Sequence, residues 1–149
     1  MFWFYFKLFF MFLWQLPQNI VALLMMPFLG KLRLVKYDNY CWAFEGEKMS
    51  GGISLGCFIF LSSFSAEDKE TILHEYGHVV DSHKFGWLYL FIIGIPSFLW
   101  ATFFSHGKCY YSFFTESRAN KNAGLKVAKN QYGCYTYIPK EKTNNGETD

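Results

Sequence analysis

Within the stretch TILHEYGHVV, residues 71–80, His74, Glu75 and His78 stand as His-Glu-x-x-His. On a helix, residues four apart share a face, so both imidazoles can offer a ring nitrogen to one ion while Glu75 leans over the same spot. Two neutral imidazoles and a carboxylate are the parts of a hydrolytic zinc centre, in which the rings hold the metal and the carboxylate takes a proton from metal-bound water. The competing reading is a polar helix face whose histidines are satisfied by ordinary hydrogen bonds. Gly77 favours the built site, because a position without a side chain lets the helix approach a neighbouring backbone closely.

A catalytic zinc usually has three protein ligands and one open position. The extended metzincin pattern would require Gly at 81 and His at 84, and Asp81 and Lys84 exclude it. His83 lies off the face of His74 and His78 and reads as a surface or interfacial side chain. Asp81, seven residues after His74, is on the right face either to orient a ligand imidazole from behind or to stand as solvated charge. The stronger candidate is Glu116 in TESRANKNAG. There the chain resembles the gluzincin metallopeptidases, in which the histidine motif is followed some tens of residues later by a glutamate on another helix. It is most similar to their membrane-associated CAAX prenyl protease and heat-shock protease group, whose second motif is Glu-x-x-x-Asp, commonly with Ala before the Asp.

The resemblance covers roughly residues 53–124. It implies a zincin-like peptidase with His74, His78 and Glu116 as zinc ligands, Glu75 as general base and Ala119 in the small position. Asn120 stands where that group has aspartate; an amide can hydrogen-bond but supplies no negative charge. A further donor must steady the oxyanion, and His106, Tyr110 and Tyr111 are candidates that aromatic or polar packing explains equally well. The implied partner is a peptide or protein substrate.

These residues need elements to hold them. ISLGCFIFL, residues 53–61, is a run of β-favouring residues and predicts a strand that could hold substrate along its edge. A helix is expected over about 66–84, with Ser65 and Asp68 as a capping box. A shorter one is expected from Tyr110 to about Asn122, stopping at Gly124, with Glu116, Ala119, Asn120 and Ala123 on one face. The predicted class is α+β, mainly helical.

Aromatics at 22% and charged residues at 17% of 149 residues point to membrane contact, while a net charge of +2 gives no reason to expect a nucleic-acid partner. Residues 1–30 form an N-terminal membrane segment interrupted by QLPQN at 15–19. Residues 31–137 form the peptidase domain, and 138–149 a disordered tail. Within the domain, the uncharged block 85–104 must return to the side it left if residues 74 and 116 are to meet. Gly94 to Pro96 is the natural place to turn, giving a shallow re-entrant hairpin. Lys7 alone precedes the first polar block, and the remaining Lys and Arg fall in residues 31–84 and 105–149, placing both on the cytoplasmic side of the lipid bilayer. Cys41, Cys57, Cys109 and Cys134 lie far apart and read as reduced packing residues, in keeping with that side. The charges between 67 and 84 exclude a motif buried in lipid, and four histidines are too few for a di-iron oxygenase. The alternative from another class is a noncatalytic or inactive protease-like membrane protein with a structural zinc.

Overall fold

A computed structural model describes residues 2–38, 41–105, 109–125, 127–129 and 135–137. His106 and the expected tail lie outside the described residues. The architecture is α+β: helices dominate, around a small mixed sheet.

The sheet contains β1 (Leu32–Asp38), β2 (Cys41–Gly46), β3 (Gly52–Leu55) and β4 (Phe58–Leu61) in the order β1-β2-β4-β3. β2 runs parallel to β4, and the β1–β2 and β3–β4 pairs are antiparallel. The stretch expected as one strand over 53–61 is therefore a hairpin. Its hinge is Gly56, at φ +63, a conformation that costs a side-chain-free residue little. A run of apolar residues hides such a turn, because β4 is buried on both faces and shows no alternation.

Those two faces have different covers. Phe58 and Phe60 point into a cluster with Ala22 and Leu29, and Ile59 and Leu61 into a second with Val79. The first cover comes from the N-terminal block, which forms α1 (Phe2–Trp14) and α2 (Leu16–Met25). The second cover is the helix that carries the histidines. Instead of one helix over 66–84, there are two: α3 (Ser63–Glu67), capped by Ser62, and α4 (Lys69–Phe85), capped by Asp68. The Asp68 carboxylate accepts from the backbone N–H groups of Glu70 and Thr71, satisfying donors that a helix start leaves orphaned. Ser65 instead lies inside α3, where its own N–H donates to Ser62.

QLPQN does more than interrupt the first block. Gln15, Gln18 and Asn19 are fully buried. Ser82 of α4 donates to Gln15 Oε1, and Gln18 Nε2 donates to Ser82 Oγ and to the Gly86 carbonyl. Asn19 accepts from Cys57 N–H at 2.8 Å and donates to the Phe12 carbonyl, so one amide fixes both the hairpin turn and the α1–α2 corner. Outside this buried corner the block is apolar save for Lys7. α1 has no buried residue, and Phe2, Trp3, Tyr5, Phe6, Phe9 and Phe10 are all exposed. Among the described residues no single helix is long and apolar enough to cross a membrane; the α1 pair with Leu16–Phe28 passes on composition but bends by 86°.

The block 85–104 also differs from expectation. It does not turn at Gly94 to Pro96. The chain turns at Gly86, at φ +51 against the Trp14 ring, and then runs as one apolar helix, Leu90–Phe104. Both ends of that run are π-helical and the middle, α5 (Ile95–Leu99), is α-helical. The Ile95 N–H reaches back to the Leu90 carbonyl, and this wider turn gives the Pro96 ring room that a regular α-helix denies it. At about 1.5 Å per residue the run is roughly 22 Å long, short of a bilayer's roughly 30 Å. The return comes after Phe104: Trp100 Nε1 donates to the Tyr110 carbonyl, tying the following segment back along the helix. Tyr110–Ser112 is a 3₁₀ turn, followed by α6 (Phe114–Asn122), on which Phe114 is exposed. The fold closes with the short pair β5 (Val127–Lys129) and β6 (Tyr135–Tyr137).

Cys41 and Cys57 are buried thiols, as the packing reading requires, and burial pushes the Cys57 thiol up to about 11. Cys109 is disulfide-bonded, against the expectation of a reduced thiol. Disulfides persist in oxidising compartments, whereas the cytoplasm keeps thiols reduced.

Replacing Asn19 by Ala removes two buried hydrogen bonds at once. The expected loss is about 2 kcal/mol of unfolding free energy, read from the urea midpoint at unchanged slope. A change below about 0.5 kcal/mol would show that the amide does not hold the corner.

Candidate metal centre

The centre forms where α4 crosses α6. Gly77 makes the crossing possible: a Cβ there would come within 2.0 Å of the Ala119 carbonyl oxygen. Ala119 is fully buried, and the Asn122 side chain donates to the Gly77 carbonyl from the other side of the contact. Two small residues thus let the two backbones touch, and the residues one turn away on each helix meet.

His74, His78 and Glu116 meet there, each offering a ligand atom within 4.8 Å of the others. His74 Nε2 lies 3.1 Å and His78 Nε2 3.5 Å from Glu116 Oε2. Three atoms bound to one ion at zinc-like distances in tetrahedral geometry stand about 3.3 Å apart, so this spacing already fits a metal. All three side chains are buried.

The ring orientations have physical causes. His74 Nδ1 sits 2.7 Å from the Asn120 amide oxygen; with the ring proton donated there, Nε2 is the nitrogen left to bind an ion. Asn120 thus occupies the supporting position, and its own NH₂ is buried without a partner among the described residues. The Tyr111 ring meets His74 edge-on at 5.4 Å between centroids. His78 Nδ1 is likewise buried with no partner among the described residues, so no hydrogen bond there competes for the ring.

The two oxygens of Glu116 divide the work. Oε1 accepts from Ser97, halfway along the apolar helix, and from Thr115. Oε2 faces the imidazoles. Neither hydroxyl was singled out in the sequence. The one available signal was Ser97 itself, a polar residue in a block that carries no charge.

Glu75 points to the other side of His78. Ser54 Oγ lies 2.7 Å from Glu75 Oε2 and 2.8 Å from its backbone oxygen, fixing the carboxylate beside β3. A Cβ at Gly52 would meet Glu75 Oε1 at 2.4 Å, so the strand has no side chain where the carboxylate rests. Tyr110 lines the same cavity as Glu75 and His78. Burial, then the negative charges of Glu116 and Glu75, push the Tyr110 hydroxyl far above its ordinary range, so it stays protonated and can donate.

Asp81 does not join the site, nor is it solvated. It is fully buried and pairs with Arg118 of α6, at 2.9 Å to Nη2 and 3.2 Å to Nε. Seven residues on, it shares the face of His74 but lies about 10.5 Å further along the axis, beyond reach of the ring. His83 points away from the centre, half-buried, its ring pulled to lower basicity by burial.

Charge completes the description. Burial alone would raise the Glu116 carboxyl, but hydrogen bonds with His74 and His78 hold it well below the usual carboxylate range. Burial pulls His74 down, but Glu116, Glu75 and Asn120 together leave it above its ordinary value of 6.5. The Glu116 contribution to stability is present above its unfolded pKa near 4.5 and is lost as pH falls through the depressed value. That of His74 is present below 6.5 and is lost as pH rises through the raised value.

With this geometry in place, comparison with protein-family profiles, curated proteins and solved structures gives no match. The three buried side chains could hold a metal ion on the strength of their donors and spacing alone.

A bound metal must compete with protons for the imidazole nitrogens, so affinity is expected to rise at least about tenfold between pH 5.5 and 8, measured against a competing chelator. Asn120→Leu should weaken metal binding by about 10–100-fold, whereas Asn120→Asp should retain it, removing the orphan NH₂ and adding charge behind His74. Gly77→Ala should cost about 2–3 kcal/mol and lower metal retention. Equal affinity at both pH values, or in both Asn120 variants, would contradict the assigned roles.

Proposed function

We propose that the chain is a membrane-associated, zinc-dependent endopeptidase. The observation that carries the reading is the division of labour across α4. Two imidazoles and Glu116 Oε2 converge on one point, while Glu75, between them in sequence, opens onto a cavity beside the outer edge of β3. Two nitrogens and one oxygen at this spacing suit zinc, and three ligands leave a position open. When bound there, zinc supplies an acidified water and a polarised peptide carbonyl.

The chain's own residues supply the rest. Glu75, held by Ser54, takes a proton at its carboxylate and passes it to the leaving amine. Tyr110, which lines the same cavity as Glu75, would donate to the developing oxyanion. Tyr111 packs on a ligand ring, and its placement favours support over donation. Among the described residues β3 pairs only with β4, which leaves its outer edge to align an extended peptide. The aromatic surface of α1 and the exposed Trp87, Phe91 and Phe98 give the lipid bilayer its contact.

The alternative is a structural metal in a noncatalytic membrane protein. Structural zinc sites are usually closed by four ligands, and the open cavity at Glu75 argues for chemistry. Glu75→Gln is the test, because Glu75 is not in the ligand cluster. The variant should keep its zinc and lose at least about 10²-fold in cleavage of a peptide library. Full zinc with cleavage equal to wild type, or no cleavage by either, would favour the structural reading.

A further inference from the structure

The cavity at Glu75 is larger than the chemistry needs. Its volume is about 640 Å³, within the range that encloses a drug-sized ligand and beyond what one side chain fills. It lies between the β3 edge and the apolar helix, with Val21 and Met25 of α2 on one wall and Leu90, Ile95 and Phe98 on another. Glu75 and His78 are the ionisable groups of the centre that reach it, and among the described residues no Lys, Arg or Asp lines it. The hydroxyls of Ser54 and Ser97 are engaged with Glu75 and Glu116. An acidic side chain would enter against the Glu75 carboxylate with no counter-ion, and a basic one would meet a single carboxylate already held by Ser54, whereas apolar side chains would leave water for a surface of their own kind. Met25 and Met49, flexible and polarizable, can adapt the walls to several shapes.

We infer that this cavity binds an uncharged stretch of the substrate peptide containing two or more large apolar residues, directly beside the bond to be cleaved. The inference rests on the peptidase reading for the position of that bond. The occupant follows from continuity: the cavity begins at the catalytic carboxylate and runs along the strand edge, where an extended peptide places alternate side chains on one side. The substrate class is thus an apolar segment exposed at a membrane surface rather than a polar loop.

The test separates binding from cleavage. Metal-free wild type in lipid nanodiscs is titrated with fluorescent, Lys-flanked peptides of equal length carrying Leu-Phe-Leu or Ser-Asp-Ser at the centre, with empty nanodiscs as the blank. The apolar peptide should bind at least about tenfold more tightly. Ala101→Phe and Val21→Trp narrow the cavity from facing walls at positions outside the metal cluster, and both residues are exposed. Each should weaken apolar binding by a similar factor while leaving zinc retention unchanged. Equal binding of the two peptides, no effect of either filled variant, or a co-purified lipid that the apolar peptide fails to displace would overturn the inference. Apolar binding that persists while the zinc-loaded protein cleaves neither peptide would sink the peptidase reading alone.

Discussion

The centre depends on one backbone contact, that of Gly77 with the Ala119 carbonyl. It brings α4 and α6 closer than side chains would permit, and only at that distance do Nε2 of two histidines and Oε2 of Glu116 come within 3.1–3.5 Å. Everything else holds the contact in place. The Asp81–Arg118 pair pins the helices at one end, and the Asn122 amide caps the Gly77 carbonyl beside it. Asp81 is fully buried while the Arg118 side chain is partly exposed, so removing Arg118 would strand a buried carboxylate.

A second layer ties the apolar exterior to the polar interior. Each membrane-like block carries a few polar residues that face inward: Gln15, Gln18 and Asn19 toward Ser82 and the hairpin, and Ser97 toward Glu116. These blocks are therefore parts of the site's scaffold as well as its greasy surface. Ser97 in particular makes the position of a ligand oxygen depend on the seat of the apolar helix.

The sequence revealed the centre more readily than its supports. The spacing of His74 and His78 on one helix face is local, so helix geometry alone predicts it. The pairing with Glu116, 38 residues beyond His78, came from a resemblance and from small residues at 77 and 119. Turns inside apolar runs were hidden, because residues buried on both faces carry no alternation to break at Gly56. Pro96 suggested a turn that a π-helical segment absorbs instead. Asp81 shared the right face at the wrong height, a distinction that angular periodicity does not make. The amides of QLPQN look like interruptions in sequence because burial of a polar group depends on distant partners that sequence does not display.

The most direct measurement is X-ray absorption at the zinc edge on the zinc-loaded protein, comparing wild type with Glu116→Gln. The account predicts a first shell with two imidazole nitrogens and a carboxylate oxygen near about 2.0–2.1 Å, and a changed oxygen contribution in the variant. A spectrum with sulfur ligands, or one identical in the two proteins, would contradict the claim that Glu116 shares an ion with His74 and His78.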